Sequence, residues 1–111
     1  EIRWAPEQHL TRGLTLDETV EAVQEGLEQG IEDVRSAGGR IRVGQLVSAM
    51  RHTDRSLEIA ELAVRHRDRG AVGFDIAGPE AGFPAGNHKA AFDYLASQFF
   101  PTTVHAGEAD G

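Results

Sequence analysis

The chain has no cysteine, and this absence limits the kinds of site that it can contain. Disulfide bonds and thiolate metal centres are excluded, so a metal site would have to use histidine and carboxylate ligands. The lack of disulfides also permits a cytoplasmic location, which is our expectation. Aromatic residues make up only 6% of the sequence, so we expect a core built mainly from aliphatic side chains.

The sequence also lacks an excess of positive charge and any long apolar run. It contains 11 basic and 18 acidic residues and has a formal net charge of −7. A surface of this sign repels phosphate backbones, so we expect no nucleic-acid partner. Because no apolar run approaches the roughly 20 residues that cross a bilayer, we expect no membrane association. A small molecule suits this composition better as a binding partner.

Both ends of the sequence lie close to predicted strands. Glu1 directly precedes an extended segment, and Gly111 follows a predicted strand at a point where a helix is expected next. We therefore expect residues 1–111 to be a single incomplete segment from the interior of a longer protein.

A long amphipathic helix is predicted after the first apolar run. Thr15 and Glu18 have the spacing of a capping box, in which each side chain satisfies a free backbone amide of the other residue. Gly38 and Gly39 are expected to end the helix, because glycine accepts the left-handed backbone conformation found there. The apolar residues recur every three or four positions and predict one inward face, namely Leu16, Val20, Val23, Leu27, Ile31 and Val34.

Two further helices and four strands complete the predicted pattern. A second helix runs from Ser56 to about Asp68 with Leu57, Ala60, Ala63 and Val64 facing inward, and a third, capped by Asn87, carries Phe92, Leu95 and Phe99. The predicted strands are Ile2 to Ala5, Ile41 to Met50, Ala71 to Ile76 and Thr102 to His105. Strands separated by single helices predict an α/β fold with a parallel sheet. The pattern alone leaves a doubly wound sheet and a closed barrel as alternatives.

The end of the last strand carries a histidine and a carboxylate. His105 is expected to direct its ring into the space above the sheet, and Glu108 can return to the same space because Gly107 loosens the loop. Imidazole is a suitable zinc ligand, and a carboxylic acid beside a metal can exchange protons with a substrate. Spacing alone favours a simpler interpretation, in which His105 bonds a neighbouring carbonyl and Glu108 is solvated.

The end of the third strand is similarly ambiguous. Gly78 either forms a turn or lets a planar ligand approach the backbone closely, and Asp75 either caps that turn or orients a ligand. Taken alone, the turn is the simpler explanation. Of the other histidines, His9 and His66 are predicted at the surface, His88 is predicted to be exposed, and His52 is predicted to make a structural hydrogen bond.

Four strand-end segments together resemble the adenosine deaminase family. Thr103–Glu108 is similar to the family's zinc-ligand and catalytic-glutamate segment, and Asp75–Glu80 is similar to its substrate-binding strand end. Ile2–Pro6 and Met50–His52 resemble the ends of the family's second and third strands. The resemblance extends over essentially the whole chain, and any one of the four segments would be weak evidence by itself.

The resemblance implies a partial TIM-type (β/α)8 barrel that covers about the second to the fifth strands, with three intervening helices. It implies Zn2+ bound by His105, catalysis by Glu108, and substrate binding by Gly78 and Asp75. The other zinc ligands would lie in the remainder of the barrel, which is therefore needed for activity.

The implied reaction is the zinc-dependent hydrolytic deamination of adenosine or deoxyadenosine, a step of purine metabolism. Zinc would activate a water for attack on C6, Glu108 would protonate N1, and the amide of Gly78 would bind the purine ring. Adenine or AMP deaminase of the same family, and a catalytically dead relative that only binds, are the alternatives. A third alternative is a natural stand-alone α/β module, although open strand edges argue against it.

Overall fold

The computed structural model describes residues 1–110 and contains one parallel four-stranded sheet. The strands lie in the order of the chain, and each pairs in parallel with the next. Their bounds are β1 Ile2–Trp4, β2 Gln45–Met50, β3 Ala71–Ala77 and β4 Thr102–Val104. Each connection contains one helix, namely α1 Leu16–Ser36, α2 Ser56–Arg65 and α3 Lys89–Ser97, and short 3-10 turns occupy Pro6–His9, Arg67–Arg69 and Ala85–His88. The predicted α/β class and the three intervening helices are confirmed.

The two faces of the sheet differ in chemistry because successive side chains point to opposite sides of a strand. One face is fully buried and packs against the helices in one hydrophobic cluster, which includes Val47, Ala49, Phe74 and Ile76. The opposite face presents a polar row. Pairing places Ser48 beside Asp75 and Asp75 beside Thr103, so these three side chains share that face. The sheet thus separates a hydrophobic core from a polar face on which Ser48 and Asp75 are also buried.

Helix α1 begins as the sequence predicts but is less buried than its pattern suggests. The Thr15 hydroxyl accepts a hydrogen bond from the amide of Glu18 at 3.1 Å, and the Glu18 carboxylate accepts one from the amide of Thr15 at 3.0 Å. Leu16 and Val20 are the buried members of the predicted apolar face, and the later members are only partly buried. The helix lies beside the edge strand β1, which has three residues and cannot cover a helix of 21 residues.

Helix α2 is shorter than predicted, and the residue that follows it is buried. It ends at Arg65, Leu57 is 39% exposed rather than inward-facing, and His66 is buried rather than at the surface. The His66 ring lies 2.7 Å from the Asp17 carboxylate, which also accepts hydrogen bonds from Arg65. The hydrogen bond from Arg65, more than that from His66, lowers the pKa of Asp17 below its usual value. This network joins the start of α1 to the end of α2.

The third helix and the second strand also begin later than predicted. Asn87 is an exposed residue of a 3-10 turn rather than the cap of α3, which starts at Lys89. Ile41 is 49% exposed and precedes β2, whose pairing with both neighbouring strands begins at Gln45. At the other end of α3, Phe99 is 93% exposed with φ +53°, since the helix ends at Ser97. Phe100 is buried in its place.

Candidate active site

The carboxyl ends of β3 and β4 form the wall of an open cavity of about 550 Å³. It is lined by Ala77 at the end of β3, by residues 78–81 of the loop that follows, and by His105, Glu108 and Ala109 after β4. Three of the four predicted site residues, Gly78, His105 and Glu108, therefore share one cavity. The fourth, Asp75, is fully buried and contacts His105. Parallel α/β folds bind ligands at this edge of the sheet.

Asp75 is a buried carboxylate whose oxygens all have partners. The Ser48 hydroxyl donates to Oδ2 at 3.2 Å, and the Thr103 hydroxyl donates to Oδ1 at 3.0 Å. The Arg3 guanidinium lies 3.5 Å from Oδ2 and supplies an opposite charge. A buried carboxylate is stable only with such partners. The polar row of the sheet therefore holds Asp75 in one position rather than leaving it to cap a turn.

The orientation of the His105 ring is fixed by contacts of one ring nitrogen, Nδ1. Its Nδ1 lies 2.9 Å from Oδ2 of Asp75 and 3.1 Å from the backbone carbonyl oxygen of Ile76. A carboxylate and a carbonyl can only accept, so the hydrogen-bond pattern assigns a proton to Nδ1. In the neutral ring the lone pair is then on Nε2. Histidine ligands of metals usually have this arrangement, in which the second ring nitrogen donates to a carboxylate or a carbonyl.

Glu108 lies on an exposed loop whose backbone is bound by another carboxylate. The amides of Gly107, Glu108 and Ala109 donate to the two oxygens of Glu80 at 2.9, 2.7 and 3.0 Å. The hydrogen bonds from Ala109 and then Gly107 lower the pKa of Glu80 from its usual value. Glu80 belongs to the Asp75–Glu80 motif, but the sequence alone predicts no role for it.

Gly78 has a backbone conformation that strongly favours glycine. Its φ is +97°, and a Cβ at this position would lie 3.0 Å from Met50 Cε and 3.4 Å from His52 Nδ1. Any L side chain would therefore be strained there, and its Cβ would crowd the side chains of Met50 and His52. The glycine leaves its own backbone accessible at the cavity wall.

The segment after β2 supports the site through Arg51. Its side chain is buried and donates to the carbonyl of Phe83 at 2.9 Å and to the carbonyl of His105.

Two histidines near the site differ from their predictions. Within the described residues, His52 makes no structural hydrogen bond, and its exposed ring lies edge-on to Phe83 with 6.3 Å between centroids. His88 was predicted to be exposed, but it is buried between the Ser56 hydroxyl at 2.7 Å and the Arg51 carbonyl at 3.0 Å.

The described residues supply only part of a metal-binding site. Residues 1–110 contain no group of three or more histidine, cysteine or acidic side chains that could hold an ion. His105 fits a zinc ligand because its Nδ1 is engaged and its Nε2 is left for coordination. One imidazole would have to be joined by ligands from outside this segment to complete a zinc site.

The protein-family comparison decides the assignment. The family model described as adenosine deaminase matches residues 1–111. The chain belongs to the adenosine deaminase family. It is 61% identical over 111 residues to adenosine deaminase 1 of Streptomyces coelicolor and 55% identical to the adenosine deaminase of Mycobacteroides abscessus. The match covers all of this chain but only 28% and 31% of those proteins.

Solved structures of related deaminases have the same fold. Arabidopsis ADAL in complex with IMP matches the whole chain with a TM-score of 0.85 at 27% identity. The Arabidopsis N6-mAMP deaminase MAPDA matches with a TM-score of 0.85 at 28% identity. The chain covers 34% of each of these structures. The predicted partial TIM-type barrel is confirmed for this chain, whose four strands follow one another in parallel order. No helix within residues 1–110 is long and apolar enough to cross a membrane.

Proposed function

We propose that this chain contributes one wall of the active site of an enzyme that hydrolyses adenosine or deoxyadenosine to the corresponding inosine and ammonia. The observation that carries the proposal is the shared cavity of Gly78, His105 and Glu108, with the His105 ring held by buried Asp75. The 61% identity to an adenosine deaminase adds support over the whole chain.

His105 would hold a zinc ion through Nε2, together with ligands from the remainder of the barrel. Bound zinc would lower the pKa of water toward neutrality and so supply the nucleophile. We expect no catalysis from residues 1–111 alone, because a single histidine ligand cannot form a zinc site. A cytoplasmic location, where purine metabolism takes place, is part of this proposal.

Gly78 and Glu108 would act on the purine ring from two neighbouring loops. The accessible backbone of Gly78 would bind and orient the ring, which a side chain at that position would obstruct. The Glu108 carboxyl would give its proton to N1 while C6 gains the hydroxyl oxygen. The proton of the new C6 hydroxyl would then pass to the exocyclic nitrogen as the C6 carbonyl forms, the bond between C6 and that nitrogen would break, and ammonia would leave. General acid catalysis of this kind typically contributes about 10²–10⁴-fold in rate.

Asp75 would act through His105 rather than on the substrate, which gives a first prediction. In Asp75→Asn of the complete enzyme, an amide that can present an N–H to Nδ1 would disturb the ring tautomer. We expect zinc affinity and activity to fall about 10–100-fold, as is typical when the hydrogen-bond partner of a metal-bound histidine is lost. Competition with a chelator measures the affinity. Asp93→Asn, on the exposed face of α3, is the matched control, and equal zinc affinity in the two variants would contradict this role for Asp75.

The substrate assignment is tested by kcat/KM of the complete enzyme on adenosine, deoxyadenosine, adenine and AMP. We expect the two nucleosides to be turned over fastest, because the relatives at 54–61% identity are named adenosine deaminases. The fold match to an N6-mAMP deaminase makes AMP the second candidate. Faster turnover of AMP or adenine would replace our assignment. Zinc in the protein without turnover of any of the four would point to a relative that only binds.

A further inference from the structure

We infer that Glu80 is a positioning residue that sets the place of the Glu108 loop relative to the ring-binding backbone of Gly78. The inference rests on the proposed function, since it concerns how the proton donor reaches the purine. Glu80 would not touch the substrate itself. Its carboxylate would determine where the carboxyl of another residue lies.

The geometry of the contact is that of an anion held by consecutive amides. Three successive N–H groups, those of Gly107, Glu108 and Ala109, converge on the two carboxylate oxygens at 2.7 to 3.0 Å. Gly107 has φ +77°, a conformation that L side chains rarely adopt and that lets the backbone curl around an anion. The loop conformation and the carboxylate are therefore matched to one another.

These bonds are a direct connection between two loops that the sheet no longer joins. The last backbone bond between the two strands runs from the amide of His105 to the carbonyl of Ile76 at 3.1 Å. Beyond it, within residues 1–110, the hydrogen bonds from residues 106–110 to the loop after β3 all go to Glu80. Arg51 provides a second link, because it donates to the carbonyls of Phe83 and His105.

Glu80 is two positions after Gly78, and its carboxylate accepts a hydrogen bond from the backbone amide of Glu108. One side chain thus links the backbone that would bind the ring to the residue that would protonate it. Proton transfer requires the donor within about 2.6–3.2 Å of its acceptor, and a misplacement of about 1 Å can cost roughly 100-fold in rate. The ionised state fits this role, because the donated hydrogen bonds lower the pKa of Glu80 and keep it an acceptor at neutral pH.

The test uses Glu80→Gln and Glu80→Ala in the complete zinc-loaded enzyme with adenosine. Alanine removes the contact, and glutamine keeps its length and one acceptor oxygen. We expect kcat to fall about 10–100-fold for alanine and less for glutamine, with zinc content unchanged and KM altered much less than kcat. Glu61→Gln, on the exposed face of α2, is the control and should retain kcat. Wild-type kcat in both Glu80 variants would overturn the inference.

A double-mutant cycle with Glu108→Gln distinguishes positioning from general stabilisation. If Glu80 acts through Glu108, Glu80→Ala should cost almost nothing in kcat once Glu108 is glutamine. An equal cost in both backgrounds would overturn the inference and indicate a structural role. The proposed function fails separately, if Glu108→Gln alone keeps the wild-type rate. Should Glu80→Ala not fold, the same cycle with Glu80→Gln decides.

Discussion

Glu108→Gln in the complete enzyme is expected to lower kcat for adenosine by about 10²–10⁴-fold while the zinc content stays unchanged. Glutamine has the size of glutamate and can accept a hydrogen bond, but its amide cannot supply a proton to N1. The backbone amide of Glu108 would still donate to Glu80, so the loop should keep its conformation. The loss would thus come from the missing proton and not from a displaced loop.

The result requires three measurements on the same preparation, namely kcat, KM and bound zinc. Asp110→Asn is a matched control, because it removes a carboxylate from the same exposed loop and we assign it no role. That control should stay within about twofold of the wild-type rate, as expected for an exposed side chain that takes no part in the chemistry. A Glu108→Gln enzyme with unimpaired turnover at neutral pH would show that another group donates the proton. It would therefore contradict the role of Glu108 as the proton donor to N1.

The sequence predicted the location of the site better than the contacts within it. In a parallel α/β fold, the ends of consecutive strands meet at one edge, so Asp75, Gly78, His105 and Glu108 could be expected together from strand positions alone. The structure brings three of them to one cavity and puts Asp75 in contact with His105. The two interpretations of His105 also prove compatible, because its Nδ1 bonds a backbone carbonyl while Nε2 is left for a ligand.

The contacts that sequence reasoning missed connect residues far apart in the chain. Glu80 accepts hydrogen bonds from backbone amides 27 to 29 positions later in the chain. Buried His88 contacts Ser56, 32 residues away, and buried His66 contacts Asp17, 49 residues away. Periodicity describes one element at a time and contains no information on such pairs. Helix α1 shows the opposite error. Its regular apolar residues predicted a buried face along the whole helix, but the edge strand β1 has only three residues and covers only the start of that face. Asp75 was ambiguous for the same reason, since its partners come from three other strands.

His105→Ala is expected to have the largest effect on the metal. Removing a hydrogen-bond partner of a metal-bound histidine typically costs about 10–100-fold in metal affinity, and removing the histidine itself should cost at least as much. The variant enzyme should therefore contain less than its full complement of zinc after dialysis against a chelator. It should also lose the increase in melting temperature that added zinc gives the wild type, because a ligand stabilises only the state that binds it.

The comparison with an exposed histidine makes this result specific. His9 lies at the surface and its ring packs 5.7 Å from Trp4, so His9→Ala removes an imidazole without touching the cavity. It should keep both its zinc and the zinc-dependent melting shift. Because the readouts are metal content and melting temperature, they do not depend on the catalytic role of Glu108. If His105→Ala bound zinc as tightly as wild type, the ring held by Asp75 would be a structural hydrogen-bond donor, and the metal would have to be placed elsewhere in the barrel.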